Sequence, residues 1–108
     1  MVQQIHPLQL AEKIQAGEKV FFLDVRQPWE NEHCALPESL LLPLPELTQR
    51  LDELHPPEGA LIVVYCHHGV RSLGGASIIQ EAGFKNVASL WGGIEAWSML
   101  VDPKVPRY

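Results

Sequence analysis

Two near-continuous apolar runs, Val20–Val25 and Ala60–Tyr65, constrain this chain more than any other feature. A strand that faces water on one side alternates apolar and polar residues. A run apolar at almost every position suits a strand covered on both faces, the usual condition of parallel sheets. The segments between the runs read as helices or loops, so the pattern is that of an α/β fold. Pro7 and Gly17 bracket a first helix, with Leu10 and Ile14 four apart. Residues 26–39 carry Pro28 and Pro37 and read as a loop with one helical turn at Trp29–His33. A short strand is expected at Leu40–Leu42. Leu44, Leu47, Leu51 and Leu54 predict an amphipathic helix ended by Pro56 and Pro57, its leucine stripe serving as core.

After Ala60–Tyr65, the spacing of Leu73, Ala76 and Ile79 predicts a helix that stops at Gly83. Gly74 and Gly75 weaken that helix and permit close backbone packing. Val87–Leu90 reads as the last strand, Gly92-Gly93 as a turn, and Ile94 with Trp97 as the start of a final helix. Residues 102–108 read as extended. Right-handed crossovers place helices on both faces of one sheet. In such sheets ligands bind beyond the carboxyl ends of the strands. Asp24–Arg26 and Cys66 both fall at such ends.

The chain has 108 residues, room for a single domain over 1–108. Its 13 acidic and 8 basic side chains give a net charge of −5, which argues against nucleic-acid binding. No apolar run reaches the roughly 18 residues of a membrane span. Residues 1–10 have neither a basic start nor a continuous apolar stretch, so no signal peptide is expected. The expected setting is cytoplasmic, with Cys34 and Cys66 both reduced.

The chemistry concentrates in Cys66-His67-His68-Gly69-Val70-Arg71-Ser72. A cysteine leaves a buried strand, and a helix begins within six residues. Gly69 lets the backbone curl so that successive N–H groups converge on the sulfur. The helix N-terminus and Arg71 add positive charge. These effects favour the thiolate and make Cys66 a nucleophile in an anion cradle of residues 67–72. Arg71 either binds the substrate anion or turns inward to a carboxylate such as Glu30 or Glu32. His67 and His68 line the mouth and tune its charge; adjacent residues on a tight loop do not converge on one metal ion, so no metal is expected. Asp24 and Arg26 read as structural support, and Asp24 in an apolar run must find hydrogen-bond partners. Cys34 is either a resolving thiol or a partly buried small side chain. Trp91 and Trp97 read as core or pocket wall.

Leu23-Asp24-Val25-Arg26, the Cys66–Ser72 loop, and Leu90-Trp91-Gly92-Gly93-Ile94-Glu95-Ala96-Trp97 resemble three signatures of rhodanese domains, in family order. Around Glu30–Pro37 the chain is similar to single-domain rhodaneses and to those fused to sulfur-carrier-activating enzymes. The resemblance implies a rhodanese-like single domain with about five mostly parallel strands and a persulfide on Cys66. It implies a sulfurtransferase without a cofactor, taking sulfane sulfur from a donor such as thiosulfate to a thiol, protein or cyanide acceptor. Arg71 follows Cys66 after four intervening residues, whereas tyrosine phosphatases place five there, which disfavours a phosphatase. A second reading is a non-catalytic binding or sensing module on the same fold. The family's Gly-His-Ile-Pro-Gly-Ala is here Cys34-Ala35-Leu36-Pro37-Glu38-Ser39, so the rim loop departs from the pattern.

Overall fold

The computed structural model describes residues 2–108. Its chain order is β1 (Gln3–Ile5), α1 (Pro7–Gln15), β2 (Val20–Asp24), α2 (Pro28–His33), β3 (Leu40–Leu41), a 3-10 segment (Leu44–Glu53), β4 (Leu61–Tyr65), α3 (Arg71–Glu81), β5 (Val87–Leu90) and α4 (Gly93–Leu100). The five strands form one sheet in the order β1-β5-β4-β2-β3, parallel throughout. The two apolar runs are thus neighbours near the middle, with Asp24 beside Tyr65 at their carboxyl ends.

Strand pleating sends successive side chains to opposite faces. Along β4, Val63 and Tyr65 enter a core with Leu10, Phe22, Ile94 and Trp97 beneath α1 and α4. Ile62, Val64 and then Cys66 enter a second core with Leu47, Leu54, Ala76 and Ile79 beneath α3 and the 3-10 segment. Helices therefore cover both faces, as expected. Cys66 continues the strand's alternation, which is why its sulfur ends inside the α3 layer. Gly75 lets α3 approach: a Cβ there would lie 3.1 Å from methyl groups of both Val25 and Val64. The stripe that α3 buries is Ser72, Gly75, Ala76 and Ile79, with Leu73 only half-buried.

Two elements differ from the sequence expectation. β1 was not foreseen. It has three residues, of which only Ile5 is buried, and it forms because β5 leaves an edge for it. Leu44–Glu53 is a 3-10 run rather than an α-helix, broken at Arg50 (φ −119°, ψ 21°). Leu44 to Leu47 and Leu51 to Leu54 are each three apart, the period of a 3-10 turn, and the break at Arg50 joins the two pairs. Among the described residues no helix is long and apolar enough to cross a membrane.

Candidate functional site

Cys66 follows β4 directly and is buried, 1% exposed. Its Sγ accepts hydrogen bonds from the backbone N–H of Gly69 at 3.1 Å and of Ser72 at 3.4 Å. The Ser72 hydroxyl lies 3.5 Å from Sγ and pairs with the Ser89 hydroxyl of β5 at 2.8 Å. Ser72 is the second residue of α3, so the sulfur sits at the positive end of an 11-residue helix. Gly69 makes the curl with φ +92°, and a Cβ there would fall 2.9 Å from the Gly92 nitrogen. The expected convergence of N–H groups on the sulfur is thus carried by Gly69 and Ser72.

The opposite edge of the loop is held by α4. Ile94 N–H donates to the Cys66 carbonyl at 2.9 Å, and Glu95 N–H to the His67 carbonyl at 3.1 Å. These donors are free because the first turn of any helix leaves its N–H groups without intrahelical partners. Gly93 (φ +64°) makes the approach possible: a Cβ there would lie 2.5 Å from the Cys66 carbonyl oxygen and closer still to that of His67. The Gly92-Gly93 pair, read from sequence as a turn, is also a clamp.

Arg71 turns inward. Its guanidinium makes a bidentate pair with Glu30 of α2 at 2.7 and 2.9 Å, so of the two carboxylates considered the partner is Glu30 and not Glu32. Glu30 also accepts the Gln27 N–H at 3.0 Å and the Tyr108 hydroxyl at 2.7 Å. These donors, Arg71 foremost, hold its carboxyl down to about 2 although burial pushes the other way. A folded-state value below the ordinary 4.5 contributes stability that is present above that value and lost as pH falls toward about 2. Arg71 is partly exposed, which screens the pair. We expect Glu30→Gln to cost on the order of 2 kcal/mol at neutral pH. Urea unfolding across this acid range should show the difference from wild type closing as Glu30 protonates. A constant difference down to the lowest pH would contradict the pairing.

Behind the loop, Asp24 and Arg26 are both fully buried. Asp24 accepts from Arg26 Nε at 2.9 Å and Nη2 at 2.8 Å, from the Arg26 backbone N–H at 2.9 Å, and from Asn31 at 2.9 Å. Arg26 donates on to the Cys34 carbonyl at 2.6 Å and the Tyr108 hydroxyl at 2.8 Å. Burial alone would lower the Arg26 pKa, yet Asp24 and Tyr108 raise it above its ordinary value. The Tyr65 hydroxyl reaches Asp24 at 3.3 Å and Ser39 at 2.9 Å, and burial pushes its pKa up to about 12. Cys34 is a buried free thiol with Sγ 3.9 Å from Arg26 Nη1. In the rim loop, Glu38 takes a left-handed φ of 58°, at the position where the resembled pattern has glycine.

His67 stacks on His68 and on Tyr108, both at 3.8 Å between ring centroids. Burial, then the neighbouring His68, lowers the His67 pKa. His68 and Val70 are exposed on the loop's outer side. Trp97 belongs to the core, whereas Trp91 is half-exposed and stacks on His6 at 5.2 Å. Sequence reasoning missed Ser89 and Tyr108. The first is one serine within a short strand, and the second ends a proline-containing tail with no periodicity to read.

The rhodanese-like domain family model matches residues 6–100. A protein named sulfurtransferase from Allochromatium vinosum is 32% identical over 98 residues, covering 91% of this chain and 90% of its own. The chloroplastic rhodanese-like/PpiC domain-containing protein 12 of Arabidopsis thaliana is 39% identical over 93 residues, 80% of this chain; the match spans only 29% of that longer protein. The crystal structure of a rhodanese-related protein from Thermoplasma volcanium superposes with a TM-score of 0.77 at 28% identity, covering 96% of this chain and 95% of the other. With the Cys66 loop, its α4 clamp and the five-stranded parallel sheet in place, the chain belongs to the rhodanese-like domain family.

Proposed function

We propose that this protein is a sulfurtransferase that carries sulfane sulfur as a persulfide on Cys66. The observation that carries the reading is the placement of Cys66 Sγ between the Gly69 and Ser72 N–H groups at the start of α3. Backbone donors and a helix N-terminus form a cradle for an anion delivered to the sulfur. Arg71, committed to Glu30, braces the loop, and the backbone supplies the anion contacts.

The reaction is a double displacement. The Cys66 thiolate attacks the sulfane sulfur of a donor such as thiosulfate, the donor S–S bond breaks, and sulfite leaves with the electron pair. An acceptor thiolate, free or on a protein, or cyanide then attacks the outer sulfur and releases the Cys66 thiolate. No cofactor enters either step. The chemistry requires reduced cysteine, consistent with a reducing compartment such as the cytoplasm. Residues 1–108 act as one unit in this scheme. The four residues between Cys66 and Arg71 leave less room than a phosphatase loop, and the relatives named as sulfurtransferases support sulfur rather than phosphoryl transfer.

Intact-protein mass spectrometry after brief thiosulfate treatment tests the reading. Wild type should gain one sulfur atom that cyanide discharges, and Cys66→Ser should gain none. A folded wild type that gains no sulfur from thiosulfate, mercaptopyruvate or a low-molecular-weight persulfide would reject the proposal in favour of a binding module.

A further inference from the structure

We propose that Tyr108 is a positioning residue for the Cys66 loop, acting through Glu30 and Arg71; the inference rests on the sulfur-transfer reading. The Tyr108 hydroxyl lies between Arg26 Nη1 at 2.8 Å and Glu30 Oε2 at 2.7 Å. A guanidinium has only donors. The phenol oxygen therefore accepts from Arg26, and its single proton goes to Glu30. Chemistry fixes the direction of this bond.

Glu30 is consequently held by four donors. Oε1 takes Arg71 Nη1 and the Gln27 N–H, while Oε2 takes Arg71 Nη2 and Tyr108. The result is one continuous chain of hydrogen bonds. It runs from the buried Asp24–Arg26 pair at the end of β2, through Tyr108 and Glu30, to Arg71 at the first position of α3. The next residue, Ser72, donates its N–H to the sulfur. Tyr108 is the link that joins the sheet's rigid polar core to the loop, and a carboxylate with one donor fewer would fix Arg71 less firmly.

The rest of the tail places the phenol. Ser98 Oγ donates to the Val105 carbonyl at 2.6 Å, and Arg107 bridges to Glu95 at 2.7 Å. The ring stacks on His67 and meets the edges of Trp29 and His33. These ring contacts survive Tyr108→Phe, so that variant removes the hydroxyl alone.

The expected result for Tyr108→Phe is a fall of about tenfold in the rate constant for sulfur loading of Cys66, since small misplacements of reacting groups are costly. Donor KM should stay within about twofold, because the backbone donors that hold the anion remain in the loop. The amide resonances of Gly69 and Ser72 should shift in the same variant, although the ring next to the loop is unchanged. A variant with wild-type loading rate and unmoved Gly69 and Ser72 amides would overturn the proposal, even if Tyr108→Ala were slow, because the ring alone would then be responsible. If the wild type takes up no sulfur at all, it is the sulfur-transfer reading that fails. Iodoacetamide alkylation of Cys66, located by peptide mass, then decides the positioning claim: a slower reaction in Tyr108→Phe sustains it, and equal rates reject it.

Discussion

Gly93→Ala is expected to destabilise the protein by about 3 kcal/mol or more and to disable the Cys66 loop even where the chain still folds. Two effects combine. The residue sits at φ +64°, where a side chain is strained, and an added Cβ would press into the carbonyl oxygens of Cys66 and His67. These atoms are backbone and cannot step aside by changing rotamer. Relief requires α4 to withdraw, which breaks the Ile94 and Glu95 bonds to the same two carbonyls. Urea unfolding and Cys66 sulfur loading measure the two consequences. A variant with near wild-type values in both would mean that the clamp does not hold the loop. Gly17 is the useful control: its φ of +82° is comparable, but a Cβ there would meet nothing. Gly17→Ala should show the conformational cost without the loss of loading.

Asp24→Asn is the second large effect. Arg26 is fully buried, and the substitution leaves its charge without a counterion, a situation that typically costs about 3–5 kcal/mol. That is a large share of the roughly 5–15 kcal/mol that holds a domain together. The same argument predicts rescue. Asp24→Asn combined with Arg26→Met removes both charges, and replacing a buried pair by apolar groups is often close to neutral. The recovery will be incomplete, because Cys34 O and Tyr108 lose their donor. Urea denaturation of the four members of this cycle should show the double variant more stable than Asp24→Asn alone. A single variant costing less than about 1 kcal/mol would mean that water or another anion compensates Arg26.

The fold was legible where burial imposed a pattern. Val20–Asp24 and Leu61–Tyr65 are apolar at nearly every position because helices cover both faces of the sheet there. β1 was illegible for the converse reason: three residues with one buried side chain have no period to detect. The leucines from Leu44 to Leu54 marked the inward face, with Leu47 and Leu54 buried and Leu44 and Leu51 half-buried, but not the type of turn, since spacings of three and four fit either kind of helix until Arg50 breaks the run.

At the candidate site, the sequence grouped Cys66, Gly69, Arg71 and Ser72 because one short loop carries them. It could not choose between Glu30 and Glu32 for Arg71. That choice depends on which side of α2 faces the loop, and two carboxylates two residues apart look alike on paper. Ser89 and Tyr108 escaped because their roles exist only through distant partners: a serine in a strand and a tyrosine in a tail have no local signature.

The Cys66 loop also has a history along the chain. Its cysteine is synthesised well before the glycine pair that clamps it, and Tyr108 closes a bond to Glu30 across 78 residues and another to Arg26 across 82. A chain that stopped short of α4 would lack the Ile94 and Glu95 bonds that hold the Cys66 and His67 carbonyls.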